Sequence, residues 1–104
     1  MRREMVYPIS YIVMIYRFLK FRREKYGNRS LCFSYEGIFN WARYEEDYRS
    51  IARTTIERVI RRLVEDGYLK RVKERPRAVF CITRRFVDAL RTLVRVDPEF
   101  ETLE

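Results

Sequence analysis

Arginine and threonine side chains recur at helical spacing in the second half of the chain, between residues 52 and 65. If Ile56 points to the core, Thr54, Arg58, Arg61 and Glu65 point away from it at 100° per residue. Short hydroxyls at the start of a helix allow its close approach to a polyanion. Arginines one turn further on can reach guanine edges or phosphates. The spacing therefore predicts a helix face that contacts nucleic acid.

A second basic stretch, called the wing here, covers residues 70–77 and carries a single carboxylate, Glu74. Pro76 marks it as the turn between two predicted strands. Basic side chains clustered at a turn favour a polyanionic partner. A charged edge that resists strand pairing has a similar composition, and both roles can hold at once. The basic residues of the wing are Lys70, Arg71, Lys73, Arg75 and Arg77.

The composition fits one basic domain. The chain has 104 residues, a formal net charge of +8 and a pI near 9.9, which favour a polyanionic partner over a neutral one. A basic protein without such a partner is the plainer alternative. With no histidine and two cysteines, we expect no metal site and no cofactor. The arginine-rich, amide-poor composition resembles that of proteins from hot environments.

Periodicity and capping signals predict six elements, in the order helix, short strand, helix, helix, hairpin, helix. Ser34 and Thr83 are the expected N-caps, and Gly67 is the expected helix stop. We expect a single domain over residues 1–96 and a frayed acidic tail over residues 97–104. The predicted helices cover residues 9–25, 35–43, 52–65 and 84–95, and the predicted strands cover residues 31–33, 68–73 and 78–83.

Residues 51–70 (IARTTIERVIRRLVEDGYLK) resemble the recognition helix and wing entry of winged helix-turn-helix regulators, including those of archaea and their viruses. The resemblance covers roughly residues 31–83. It implies an α+β winged helix-turn-helix fold, with this helix in the major groove and the wing on the backbone or minor groove. The implied contacts near the bases are Arg53, Thr54, Thr55 and Arg58, and the implied phosphate contacts are Arg61 and Arg62.

The link between the second and third predicted helices departs from that family. It is longer than the usual tight turn and carries Glu45, Glu46 and Asp47. Carboxylates next to DNA would repel it. The link must therefore face away from DNA, or the docking differs from the family norm; it could also bind a protein partner.

The first predicted helix carries two apolar stripes, although a surface helix needs only one to cover a core. Either a partner subunit or the C-terminal helix of the same chain covers the second stripe. The first alternative predicts a homodimer that contacts two DNA half-sites ~34 Å apart. The residues of this possible dimer interface are Tyr11, Met14, Phe18, Phe21, Leu90 and Leu93.

The two cysteines fall at matching positions of two strands that pair in winged helices. Alternation sends Phe33 and Phe80 inward and leaves Cys32 and Cys81 together on the other face. A disulfide is then possible if the register is right, and two free thiols are the alternative.

These observations favour a transcription regulator that binds double-stranded DNA. A winged-helix module that binds protein or RNA is the alternative. An enzyme is not expected, because the chain has no histidine base, phosphate loop or nucleophile elbow. The apolar run of residues 5–16 is too short to span a bilayer, so we expect an intracellular protein without a membrane partner. The sequence indicates no small-molecule ligand.

Overall fold

The computed structural model describes the backbone of residues 6–100 and the side chains of residues 9–100. Within this part, four helices and three strands form a small α+β domain in the predicted order. A short 3-10 helix, Pro98–Phe100, follows the last helix. The helices are α1 (Val6–Tyr26), α2 (Tyr35–Ala42), α3 (Arg53–Glu65) and α4 (Arg84–Arg91), and the strands are β1 (Cys32–Ser34), β2 (Leu69–Lys73) and β3 (Val79–Ile82).

The three strands form one antiparallel sheet in the order β1-β3-β2. Phe33 lies opposite Phe80 and Cys32 lies opposite Cys81, a register that agrees with the expected alternation of the two strands. Both phenylalanines are buried, with their ring centroids 6.0 Å apart. Of the two states left open for the cysteines, the structure has the disulfide, which joins β1 to β3.

Local side-chain hydrogen bonds start α2 and α4, and a glycine ends α3, at the positions that the sequence predicts. The Ser34 hydroxyl accepts the Gly37 amide at the start of α2, and the Thr83 hydroxyl accepts the Phe86 amide at the start of α4. Gly67 follows α3 with φ +84°, a left-handed conformation that glycine adopts without a Cβ clash. The Tyr68 amide then donates to the Leu63 carbonyl, completing a Schellman end.

Helix α1 lies at the centre of the core and contacts α2, α3 and α4. Because helices surround it, most of both apolar stripes is buried inside one chain, although Ile9 is exposed and Phe21 is half-buried. Phe18 packs against Trp41 of α2 and Phe33 of β1, with ring centroids 5.5 and 6.3 Å apart. The cover is thus supplied by α2 and β1 as well as by α4.

The predicted dimer interface is wrong, because most of its residues do not lie on the surface of the chain. Tyr11, Met14, Phe18 and Leu90 are buried within the chain, at no more than 9% exposure, so they present no face to a partner. Phe21 is half-buried, and of the six only Leu93 is exposed. A homodimer stays a prediction, but it needs another surface.

The C-terminal segment also differs from the prediction. Helix α4 ends at Arg91 rather than 95, and residues 97–100 dock on α1 instead of fraying. Phe100 is 1% exposed, with its ring centroid 5.1 Å from that of Tyr16. The Asp97 amide donates to the Tyr16 hydroxyl at 3.0 Å. Burial of an aromatic ring thus outweighs the acidic character of the segment; residues 101–104 lie outside the described part.

Candidate nucleic-acid interface

The outer face of α3 is the centre of the candidate site. Its inner face buries Ile56, Val59, Ile60 and Leu63. As the helical spacing predicts, Thr54, Arg58, Arg61 and Glu65 are then exposed on the other side. Thr55, at the edge of this face, is half-buried.

The start of α3 has no side-chain cap, because its N-cap residue is Ala52. The Thr55 amide donates to the Ala52 carbonyl at 3.0 Å, and the amides of Arg53 and Thr54 are left for solvent or for an anionic group. The side chain of Arg53, the first residue of the helix, is held by two contacts with α2. Its guanidinium donates to Glu36 of α2 at 2.7 Å and lies 4.5 Å from the centroid of the Phe39 ring. Sequence reasoning missed this pair, since its members are 17 residues apart and no local signal links them.

A cleft of about 270 Å³ separates the first half of α3 from the turn of the β2–β3 hairpin. Arg53 and Glu57 of α3 line one side, and Glu74 and Arg77 line the other. The recognition segment and the wing therefore border the same space. Glu36 pairs with Arg53 inside the cleft and Glu74 pairs with Arg71 outside its lining, which reduces the negative charge of the cleft, whereas Glu57 has no ion-pair partner among residues 9–100.

Three of the predicted DNA-binding arginines are engaged in ion pairs. Arg53 pairs with Glu36, Arg62 pairs with Asp66 at 3.3 Å, and Arg71 pairs with Glu74 at 3.6 Å. The Arg71 guanidinium also lies 5.3 Å from the centroid of the Phe80 ring. These contacts hold the three side chains close to the protein surface.

Six other cations of the site are exposed and have no carboxylate within ion-pair distance among residues 9–100. Two belong to α3 and four to the wing, whose strands pair through a β-bulge. Unpaired cations retain their full attraction for phosphate. They are Arg58, Arg61, Lys70, Lys73, Arg75 and Arg77.

The acidic link, residues 43–52, folds back on α1. Arg17 donates to Asp47 and to the Tyr48 hydroxyl, both at 3.0 Å, and contacts Glu45 at 3.4 Å. The hydrogen bond to Asp47 raises the pKa of Arg17 above its ordinary value, despite partial burial. Helix α1 packs on the inner side of α3, so Glu45 and Asp47 point away from the outer face of α3. A link that faces away from DNA stays a prediction; Glu46 is exposed and outside these bonds.

Two further properties of the described residues bear on ligands. Residues 9–100 contain no group of three or more cysteine, aspartate or glutamate side chains arranged to hold a metal ion. Among the helices of residues 6–100, none has the length and apolar character that crossing a membrane requires.

Comparisons with protein-family models, with curated proteins and with solved structures find no match for this chain.

Proposed function

We propose that this chain is a winged-helix transcription regulator that binds double-stranded DNA in a sequence-specific way. Helix α3 lies in the major groove, and the wing contacts the backbone or the minor groove. The observation that carries the proposal is a cluster on the outer face of α3 and on the adjoining wing: six exposed cations that have no carboxylate partner among residues 9–100.

The layout of the elements supports this docking. Helix α3 has 13 residues, is exposed along one whole side and is followed directly by the hairpin. A helix with side chains is about 10–12 Å wide and the major groove is about 12 Å wide, so an exposed helix of this kind fits. The hairpin turn borders the same cleft as the first half of α3, so both can meet one duplex.

The contacts divide by side-chain chemistry. Thr54 and Arg58 lie on the outer face near the start of α3, where short or bidentate side chains reach base edges. Arg61 is one turn further on and meets phosphate. Arg75 and Arg77, at the wing turn, contact the backbone or the minor groove. Arg53, Arg62 and Arg71 contribute once a phosphate displaces their carboxylate partners.

The test is a fluorescence-anisotropy titration of a random-sequence duplex at several salt concentrations. If all six cations contact phosphate, the slope of log K against log salt approaches about −5. Arg58→Ala and Arg61→Ala should each weaken binding, and Arg61→Ala should reduce the slope by roughly one. Arg29→Ala is the matched control, because Arg29 lies near Glu99, at the end of the sheet opposite the wing turn.

Two results would contradict the proposal. If the wild-type protein binds no duplex at low salt, the DNA-binding proposal is wrong. An RNA titration under the same conditions would then test the alternative partner. Equal losses of duplex affinity in Arg58→Ala, Arg61→Ala and Arg29→Ala would show that binding depends on the overall charge and not on the α3 face. If duplex binding follows the prediction, selection from a random pool then identifies the target site.

A further inference from the structure

A second groove lies between the C-terminal half of α1 and helix α2, on residues that the DNA proposal does not use. Its volume is about 650 Å³, within the range of small-molecule sites. Aromatic side chains form much of its wall, and Tyr26 is 67% exposed at its edge. The aromatic residues are Phe18, Phe21, Tyr26, Trp41 and Tyr44.

Two residues of the groove wall carry buried N–H donors without an acceptor. The indole Nε1 of Trp41 and the Nε of Arg22 make no hydrogen bond within the described residues, although both atoms are buried. Trp41 is 8% exposed, and the terminal nitrogen of Arg22 is held by the Ser30 and Cys32 carbonyls at 2.9 Å. A buried unpaired donor is costly, so an acceptor at this position would be favourable.

The charge of the groove favours an anion. The Lys25 ammonium lies over the rings of Phe21 and Tyr26 and has no carboxylate partner among residues 9–100. Glu45 also lines the groove, but its carboxylate is bound by Arg17. Burial lowers the pKa of Arg22 from its ordinary value, and an adjacent anion would oppose that effect.

We propose that this groove binds a small aromatic carboxylate. The ligand's ring packs against the aromatic wall, where Phe21 and Trp41 lie 6.4 Å apart between centroids. Its carboxylate accepts hydrogen bonds from the Trp41 indole and the Arg22 guanidinium and faces the Lys25 ammonium. The proposal does not depend on DNA binding, because no residue of the α3 face or the wing lines the groove.

Trp41 is the only tryptophan of the chain, so its indole N–H gives a single, assignable signal in a ¹H–¹⁵N spectrum. We would titrate ¹⁵N-labelled protein with unlabelled indole-3-acetate as the probe and with indole-3-acetamide as its neutral counterpart. We expect a saturable shift of the Trp41 signal, with the acid binding about tenfold more tightly than the amide.

Lys25→Gln tests the charge, because Lys25 is exposed and its replacement leaves the core intact. It should weaken binding of the acid about three- to fivefold and leave binding of the amide unchanged. Lys70→Gln, on β2 outside the groove, is the matched control and should bind the acid as the wild type does. Absence of a saturable shift, equal affinity for acid and amide, or equal affinities of the two variants would each overturn the proposal.

Discussion

Reduction of the Cys32–Cys81 disulfide should destabilise the protein by about 4 kcal/mol. The two cysteines are 49 residues apart, so the bond closes nearly half of the chain into a loop. For a loop of this length, the chain-entropy relation for cross-linked unfolded chains gives about 4 kcal/mol at 25 °C. This is a large share of the roughly 5–15 kcal/mol that stabilises a typical domain. The expected fall in the thermal midpoint is roughly 20 °C.

Urea unfolding followed by circular dichroism measures this difference directly. The oxidised protein is compared with the protein in a phosphine reductant, and thiol alkylation followed by mass spectrometry counts the free cysteines in each sample. The double variant Cys32→Ala/Cys81→Ala is the control, because its stability should not respond to the reductant. It should also be about as unstable as the reduced wild type.

The magnitude of the loss decides whether the loop argument holds. A difference under about 1 kcal/mol between samples with paired and free thiols would refute it, since restricting a loop this long should cost the unfolded chain more. Two alkylated cysteines in the unreduced protein would instead refute the pairing itself.

Two further changes test contacts that join distant parts of the chain. Phe100→Ala should lower the free energy of unfolding in urea by about 3–4 kcal/mol, because the ring is buried against Tyr16 and beneath the Arg23 guanidinium. A decrease below about 1 kcal/mol, as for a surface substitution, would show that the tail is frayed. Glu36→Gln should raise duplex affinity about three- to tenfold at low salt, because it removes a carboxylate from the cleft and releases Arg53. Unchanged affinity in the anisotropy assay would show that Arg53 does not reach DNA.

Signals of short range were sufficient for most of the element boundaries. The N-cap bonds of Ser34 and Thr83 and the helix end at Gly67 involve backbone groups within five residues, so these effects can be predicted without knowing the fold. The bond of the Thr83 hydroxyl to the Gly67 carbonyl, 16 residues earlier, cannot. The outward face of α3 follows from helical geometry once Ile56 is assigned to the core. Alternation excludes a β1–β3 slip of one residue, which would expose Phe33 and Phe80, but the pairing of Phe33 with Phe80 over a slip of two residues was left to the structure.

These short-range signals could not predict which part of the chain packs against each surface. The second stripe of α1 predicts burial, but the pattern is the same whether α2, α4 or a second subunit covers it. The link of residues 43–52 carries carboxylates whose direction depends on Arg17, about 30 residues earlier in the chain. The acidic composition of residues 97–100 favours a free tail, and only the space beside Tyr16 allows Phe100 to dock.

The sequence by itself determined the elements, their order, the exposed side of α3 and the positive charge of α3 and the wing. The tertiary structure decided that Arg53 is paired, because Glu36 reaches it only after α2 and α3 have packed together, whereas the pairs of Arg62 and Arg71 join residues three or four apart. Periodicity and capping are short-range properties of one chain segment. Pairing between segments depends on packing distances, which exist only when the core has formed.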